Sequence, residues 1–391
     1  MTEISRGLKG VVLTETRLSR VDGEAGELII GGFPLEELAP KASYEETLHL
    51  LWHDRLPTAV ELAGLRQRMV AARNLPASTS RLLREAAETG LPPMGALRLG
   101  LDSLSLEDAN PEATGIEVNL RRAQELTARI PLLIAGYWRL LHGHDFVNPR
   151  EDLDHAAHFL YLLTGKEPEA AAARGLETYL NAVVDHGMNA STFAARVIIS
   201  TRSDMVSALV GAVGALKGPL HGGAPGPALD MVFQLQKQSQ EEGKPLAEVA
   251  EAWARRTVEA GERIMGFGHR VYRVRDPRAD VLGEAARRLF ERTGDSSLYQ
   301  DAQTVENVVL EVLESLKPGR QLNTNVEFYT ALLLHGVGLE SPLFSSVFAM
   351  GRVGGWTAHI LEQIEEDVLI RPRASYRGET GRTWVSIEER G

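Results

Sequence analysis

The sequence predicts a mostly α-helical protein with one small β element near its N-terminus. Two observations carry this. Apolar residues recur at helical spacing through most of the chain, and twice a capping box stands directly in front of them. Stretches mixing Val, Leu, Ile and Thr around an Asp-Gly turn belong to the start of the chain.

Taken in order, Val11 to Leu18 reads as a strand, Asp22-Gly23 as a turn, and Glu27 to Ile30 as the returning strand. Ser43 and Glu46 form a capping box before Leu48, Leu51 and Trp52. Thr58 and Glu61 repeat it before Leu62, Leu65 and Met69. Leu75-Pro76 and Leu91-Pro92-Pro93 are breaks. Helical patterns follow over Asp152 to Leu163, Glu177 to Val184, Thr192 to Ser200, Met205 to Leu216 and Leu246 to Ala260. Within Met205 to Leu216, Ser207, Gly211 and Gly214 or Ala215 make a small-residue stripe. Glycine costs about 1 kcal/mol against alanine inside a helix. The stripe therefore implies close backbone approach, either in the core of one chain or in a symmetric helix pair between two.

Composition narrows the function. The 391 residues include no Cys, which removes disulfides, Cys-ligated zinc, iron–sulfur clusters and thiol nucleophiles. Acidic residues outnumber basic by 53 to 42, so a general basic field for nucleic acid is not expected. No apolar segment follows a basic start as in a signal peptide, and Met205 to Leu216 is too short to span a bilayer. The expectation is a cytoplasmic protein without membrane or nucleic-acid partners.

Four segments concentrate Gly, His, Arg and Asn where helix formers would be expected: Asp185 to Ser191, Gly218 to Ala224, Met265 to Arg270 with its continuation to Arg278, and Asn325 to Tyr329. His221 and His269 sit beside glycines, where backbone can approach a ligand, and imidazole can donate to a developing oxyanion. Glu327 is a carboxylate in an apolar run, where desolvation raises its pKa toward that of a useful base. Arg278, Arg352, Arg371 and Arg373 can clamp carboxylates. Two His, one carboxylate and several Arg suit carbon–carbon chemistry beside a carbonyl on an acidic substrate. His53, His142, His144 and His335 read as ordinary residues. His155 and His158, near Asp152 and Asp154, read as a solvated helix start rather than metal ligands. Walker, dinucleotide-binding and Gly-x-Ser-x-Gly patterns are missing.

At these segments the chain resembles the citrate synthase family. The likeness starts at GLKGVVLTETRLSRVDGEAGELIIGG and runs through SDMVSALVGAVGALKGPLHGGA, RIMGFGHRVYRVRDPRADVL, NVEFYTALLLHGVGL, GRVGGWTAHILEQ and IRPRASYRG, in family order and spacing. The resemblance implies a two-domain helical fold. Residues 1–222 and 339–391 would form the large domain, and 223–338 an inserted small one, with the site in a cleft that closes by domain movement. It implies a homodimer that needs no metal or cofactor and takes the CoA thioester as substrate.

By the same resemblance His221 polarises the thioester carbonyl of acetyl-CoA, Glu327 removes the methyl proton, and His269 donates to the ketone of oxaloacetate. His186, Arg278 and Arg352 hold the oxaloacetate carboxylates, and Arg371 reaches across from the second subunit. The backbone of Arg263, Ile264, Met265, Gly266, Phe267 and Gly268 cradles the adenine of CoA, and Arg273 meets a phosphate. The implied activity is that of the tricarboxylic acid cycle enzyme: acetyl-CoA, oxaloacetate and water give citrate and CoA. The alternatives are a 2-methylcitrate synthase using propionyl-CoA or another acyl-CoA, and a weakly active or inactive paralogue that binds CoA and a dicarboxylate. Three positions depart from the family pattern: Glu327 replaces Asp, Pro225-Gly226 replaces Asn-Glu, and Ile30-Gly31-Gly32 replaces Tyr-Arg-Gly.

Overall fold

The N-terminal β element forms, but later in the chain than its composition suggests. The computed structural model describes residues 4–8, 10–107, 113, 115–221, 226–269 and 271–390. Strands β1 (Ser19–Asp22), β2 (Glu27–Ile30) and β3 (Phe33–Pro34) make an antiparallel sheet in that order, with Ser19 opposite Ile30 and Asp22 opposite Glu27. Residues 11–18 form no strand, contrary to expectation. Their polar groups are directed to the end of a distant helix: the Thr14 and Thr16 hydroxyls donate to Glu366 and Glu362, and the Arg17 N–H donates to Glu362. β-Branched residues favour extended backbone, but a strand also needs a neighbour to pair with.

Among the described residues sixteen α-helices follow. A short α1 (Leu35–Leu38) leads into α2 (Tyr44–His53) and α3 (Ala59–Ala71), and both expected capping boxes form reciprocally at Ser43/Glu46 and Thr58/Glu61. The proline breaks separate α3 from α4 (Ala77–Glu88) and α4 from α5 (Pro93–Ser103). Then come α6 (Ile116–Leu141), α7 (His155–Thr164), α8 (Ala170–Val183), α9 (Ala190–Ile199), α10 (Met205–Leu216), α11 (Gly226–Glu242) and α12 (Leu246–Glu259). The last four are α13 (Pro277–Thr293), α14 (Ser297–Leu316), α15 (Val326–Gly336) and α16 (Phe344–Glu366).

The start of α7 corrects one expectation. Asp154 caps it, but His155 and His158 are buried, at 2% and 1% exposure, because α7 is packed between α6 and α8. Burial pushes His155 well below the ordinary histidine pKa and His158 down to about 3, so both rings are neutral. The small-residue stripe of α10 divides in two. A Cβ on Gly211 would lie 2.2 Å from Ile198 Cδ1, so this glycine serves the packing of α10 on α9 within one chain; Gly214 faces open space. Among the described residues no helix is long and apolar enough to cross a membrane.

Helix α16 is central. Val353, Trp356 and Ile360 are fully buried, and the helix packs on α2, α6, α8, α9 and α10. Helices α11 to α15 form a second group in which α12 lies on α14 and α13 on α15, and α13 lays this group against α8. The site lies where the two groups face each other.

Candidate active site

On the α16 side the site is built on a buried charge network. Asp185, fully buried after α8, accepts from the Ser19 hydroxyl, from the Gly187 N–H at 3.2 Å and from His359 Nε2 at 3.2 Å. His359 Nδ1 faces Arg196 Nη1 at 3.2 Å; guanidinium can only donate, so Nδ1 accepts and Nε2 carries the proton given to Asp185. Arg196 also donates to Glu362 at 3.0 Å and Glu366 at 2.8 Å. Burial alone would raise the Asp185 pKa, but His359, Arg352 and Ser19 hold it below the usual carboxylate range. This network fixes the turn that carries His186. Burial and the nearby Arg278 and Arg352 hold His186 well below the ordinary pKa, so it is neutral. Its Nε2 lies 3.2 Å from the Tyr272 hydroxyl.

Arg352, on α16, is 1% exposed. Its Nε donates to the Val183 carbonyl, and among the described residues it makes no ion pair. Burial pulls its pKa down to about 10, so it remains a cation without a bound anion.

The facing side is held together by backbone. Gly266 and Gly268 take φ values of +88° and +83°, which side-chain-bearing residues rarely adopt. This shape lets Gly268 N–H donate to the Asn323 carbonyl at 2.7 Å and Asn325 N–H donate to the Gly266 carbonyl at 2.9 Å. The Asn325 amide donates to the Gly268 carbonyl at 2.9 Å, while its Oδ1 caps α15 by accepting from the Glu327 N–H at 2.9 Å. One asparagine thus ties the His269 loop to the helix bearing Glu327. Beneath it Glu306, on α14, accepts from Arg275, Thr324 and Tyr329.

The protonation of His269 follows from its donors. His269 Nδ1 accepts from the Val271 and Tyr272 N–H groups at 3.0 and 3.1 Å, which leaves its proton on Nε2. Burial, helped by Arg278, lowers its pKa to about 4. His221 Nε2 lies 2.8 Å from Ser191 Oγ and 3.3 Å from the Ser191 N–H. The Ser191 hydroxyl has one proton, which either Nε2 or the Asn189 Oδ1 at 2.7 Å can take, so this contact serves either tautomer of His221. Trp356 Nε1 donates to Ser191 Oγ at 3.0 Å and anchors that hydroxyl to α16. Burial raises the Glu327 pKa to about 7, with Arg278 opposing the rise. Arg278, 3% exposed, pairs bidentately with the Asp276 carboxylate at 2.7 and 3.0 Å.

These groups line one cleft of about 470 Å³, which brings together His186, His221, His269, Arg278, Glu327, Arg352 and the chain from Arg263 to Gly268. A second cavity of about 200 Å³, between α8 and α13, contains none of them. Arg371 and Arg273 are exposed and do not line the cleft; Arg273 lies 3.8 Å from Glu24 instead. Gly222, Gly223, Ala224, Pro225 and Arg270 lie outside the described residues. The sequence reading missed Tyr272, Ser191, Asn325 and Asp185 as site-builders. All four stand inside the segments it singled out, but their hydrogen-bond partners are remote in sequence. Chemically, the cleft offers a small dianion two buried guanidiniums, one of them unpaired. It offers a substrate carbon a carboxylate that ionises near neutrality, and nascent oxyanions two imidazole donors.

Residues 7–373 match the family model described as citrate synthase, C-terminal domain. The chain is similar to a citrate synthase of Haloferax volcanii, 41% identical with 99% of each chain covered. It is also similar to a citrate/2-methylcitrate synthase of Bacillus subtilis, 36% identical with 96% of each covered. Among solved structures it resembles the citrate synthase of Thermoplasma acidophilum in ternary complex with carboxymethyl coenzyme A and oxaloacetate. That likeness has a TM-score of 0.86 at 29% identity and covers 100% of both chains.

Proposed function

The chain belongs to the citrate synthase family of acyl-to-alkyl transferases, and from that premise we propose that it condenses acetyl-CoA with oxaloacetate and hydrolyses the product to citrate and CoA. The observation that carries this reading is Glu327: a carboxylate poised near pH 7 in one cleft with two neutral histidines and an unpaired buried arginine.

In this mechanism ionised Glu327 takes a proton from the acetyl methyl group while the His221 ring donates to the thioester oxygen. The enolate carbon attacks the ketone carbon of oxaloacetate, and His269 Nε2–H protonates the ketone oxygen as it gains charge. Water then cleaves the citryl thioester, releasing citrate and CoA. His186, Arg278 and Arg352 hold the oxaloacetate carboxylates; Arg352 gains most, because its cation acquires the counter-charge it lacks. Residues 263–268 receive the adenine of CoA, and Arg273 swings from Glu24 to a phosphate.

Residues 1–222 with 339–391, and 223–338, act as two domains. Oxaloacetate binds first and draws them together, since His186 and Arg352 belong to one and His269 and Arg278 to the other. The enzyme works in the cytoplasm as a homodimer serving the tricarboxylic acid cycle. Arg371, exposed beyond α16, completes the partner's site, and half-exposed Val210 and Gly214 on α10 support the pairing face.

The test is CoA release by the purified protein with oxaloacetate and either acetyl-CoA or propionyl-CoA, with the product identified. Citrate formation at the higher kcat/KM is the expected result. A preference for propionyl-CoA would make it a 2-methylcitrate synthase. Binding of oxaloacetate without CoA release from either thioester would overturn the enzymatic reading.

A further inference from the structure

We infer that the β1–β2 hairpin is a positioning element for this reaction, with Ser19 at its base and Gly23 at its tip setting the spacing between the His186 turn and the His269–Tyr272 loop. The inference rests on the proposed reaction for its consequence and on separate contacts for its geometry.

At the base, the Ser19 hydroxyl donates to Asp185 Oδ2 and accepts from the Gly187 N–H at 3.0 Å. Those two residues flank His186, so one hydroxyl grips the turn on both sides of its functional ring. At the tip, the Arg273 N–H donates to the Gly23 carbonyl at 2.8 Å. A Cβ on Gly23 would lie 2.2 Å from the Val271 carbonyl oxygen and 2.8 Å from its carbon. Backbone therefore meets backbone there with no room for a methyl group. Val271 is also one of the two residues whose N–H orients His269. Gly26 repeats the arrangement against the Val274 side chain at 2.6 Å.

Between these ends runs a short paired strand that acts as a rigid spacer. Its partner β2 is held in the core by Leu28 and Ile30, at 1% and 0% exposure. The two loops it spans bring the His186 and His269 rings to a centroid distance of 5.9 Å, with the Tyr272 hydroxyl 3.2 Å from His186 Nε2. A dicarboxylate held by both loops reads this spacing directly. CoA reads it less: residues 266–268 are registered by their pairing with 323–325, and only the long, exposed Arg273 side chain links the hairpin tip to a CoA phosphate. The exposed Glu24–Arg273 pair at 3.8 Å adds little.

Gly23 allows a clean perturbation. It does not use a positive φ, so Gly23→Ala is tolerated by its own backbone and acts only through the contact with Val271. The experiment measures, on the full chain, kcat, KM for each substrate, oxaloacetate binding by calorimetry, and thermal unfolding. It is run for wild type, Gly23→Ala, Ser19→Ala and Ser19→Thr. Misplacement by about 1 Å can cost about a hundredfold in rate. Gly23→Ala should weaken oxaloacetate binding and lower kcat by about tenfold or more, with a smaller change in KM for acetyl-CoA and Tm within about 2 °C. Ser19→Ala should act in the same direction, and Ser19→Thr, which keeps the hydroxyl, should restore function. Wild-type oxaloacetate binding and kcat in both Gly23→Ala and Ser19→Ala would overturn the inference. So would loss of both substrates in step with a falling Tm, the mark of a merely structural role. A wild-type protein that binds oxaloacetate but does not condense it would refute the proposed activity alone, since the calorimetric effect of Gly23→Ala still reads the hairpin.

Discussion

The two faces of the cleft are made in different ways. The face on α16 hangs from side chains: Asp185, His359 and Arg196 form a chain of fully buried ionisable groups, and the arginine it presents makes no ion pair among the described residues. The facing side hangs from backbone: two short loops pair through main-chain hydrogen bonds, and its arginine is already matched by Asp276. The first construction is suited to holding a fixed charge against an incoming anion. The second joins His269 and Glu327 through one shared set of main-chain hydrogen bonds. His269 and Glu327 thus share one wall, each wall keeps one buried arginine, and His221 stays with the α16 wall through Ser191 and Trp356.

The largest effects should come from the wall that carries His269 and Glu327. Loss of one preorganised oxyanion donor costs about 10²–10³ in kcat. His269→Ala should fall in that range with thermal stability little changed. Glu327→Gln should abolish solvent deuterium exchange into acetyl-CoA, measured with a non-reacting oxaloacetate analogue, while oxaloacetate still binds. Exchange at the wild-type rate would show that another group is the base.

Next in size are the buried arginines of the two walls. A charge-assisted hydrogen bond is worth about 1.5–3 kcal/mol, so Arg352→Met should weaken oxaloacetate binding by about 10- to 100-fold. The same change should raise Tm, because it removes a buried cation that makes no ion pair among the described residues and has only the longer-range attraction of Asp185 to offset its burial. Arg278→Met should lower Tm, since it strands the buried Asp276 carboxylate. Thermal shifts of the same sign in both variants would erase the contrast between the walls.

Glu327→Asp sharpens the comparison further. The shorter side chain withdraws the carboxylate by about 1 Å, and if the wall is built around glutamate the rate falls by about one to two powers of ten. A rate above wild type would show that this wall is built for aspartate.

The smallest effects concern pH. Glu327 must be ionised to act, so kcat/KM should rise with pH and level off above about 7. The sign for stability is opposite. The folded pKa lies above the unfolded one, so folding binds a proton, and stability falls as pH rises from about 4.5 to about 7. Glu327→Gln should therefore melt about 2 °C or more above wild type at pH 8 and level with it at pH 4.

What could be read ahead from the sequence was local. The capping boxes at Ser43 and Thr58 join residues three apart, and both formed as expected. The Gly-Phe-Gly and Asn-Val-Glu segments announced themselves by residues unusual for helix. The misreadings came where a remote partner decides. Residues 11–18 look like a strand until Glu362 and Glu366 are seen to hold them. His155 and His158 look solvated until α6 and α8 close over them. Helix α6 was not foreseen, and Pro131 within it reads locally as a break. The links from Ser191 to His221 and from Glu306 to Arg275 leave no mark in sequence spacing at all.

Helix α16 has a consequence for how the molecule is made. A chain emerges from the ribosome N-terminus first, and here the helix around which α2, α6, α8, α9 and α10 assemble comes after all of them. During synthesis those five helices have only one another, with the slot for Trp356 open and apolar surface exposed along it. The body closes only once residues 344–366 have emerged, so the earlier helices wait with apolar surface exposed, and a nascent chain stalled before residue 344 is a natural client for chaperones.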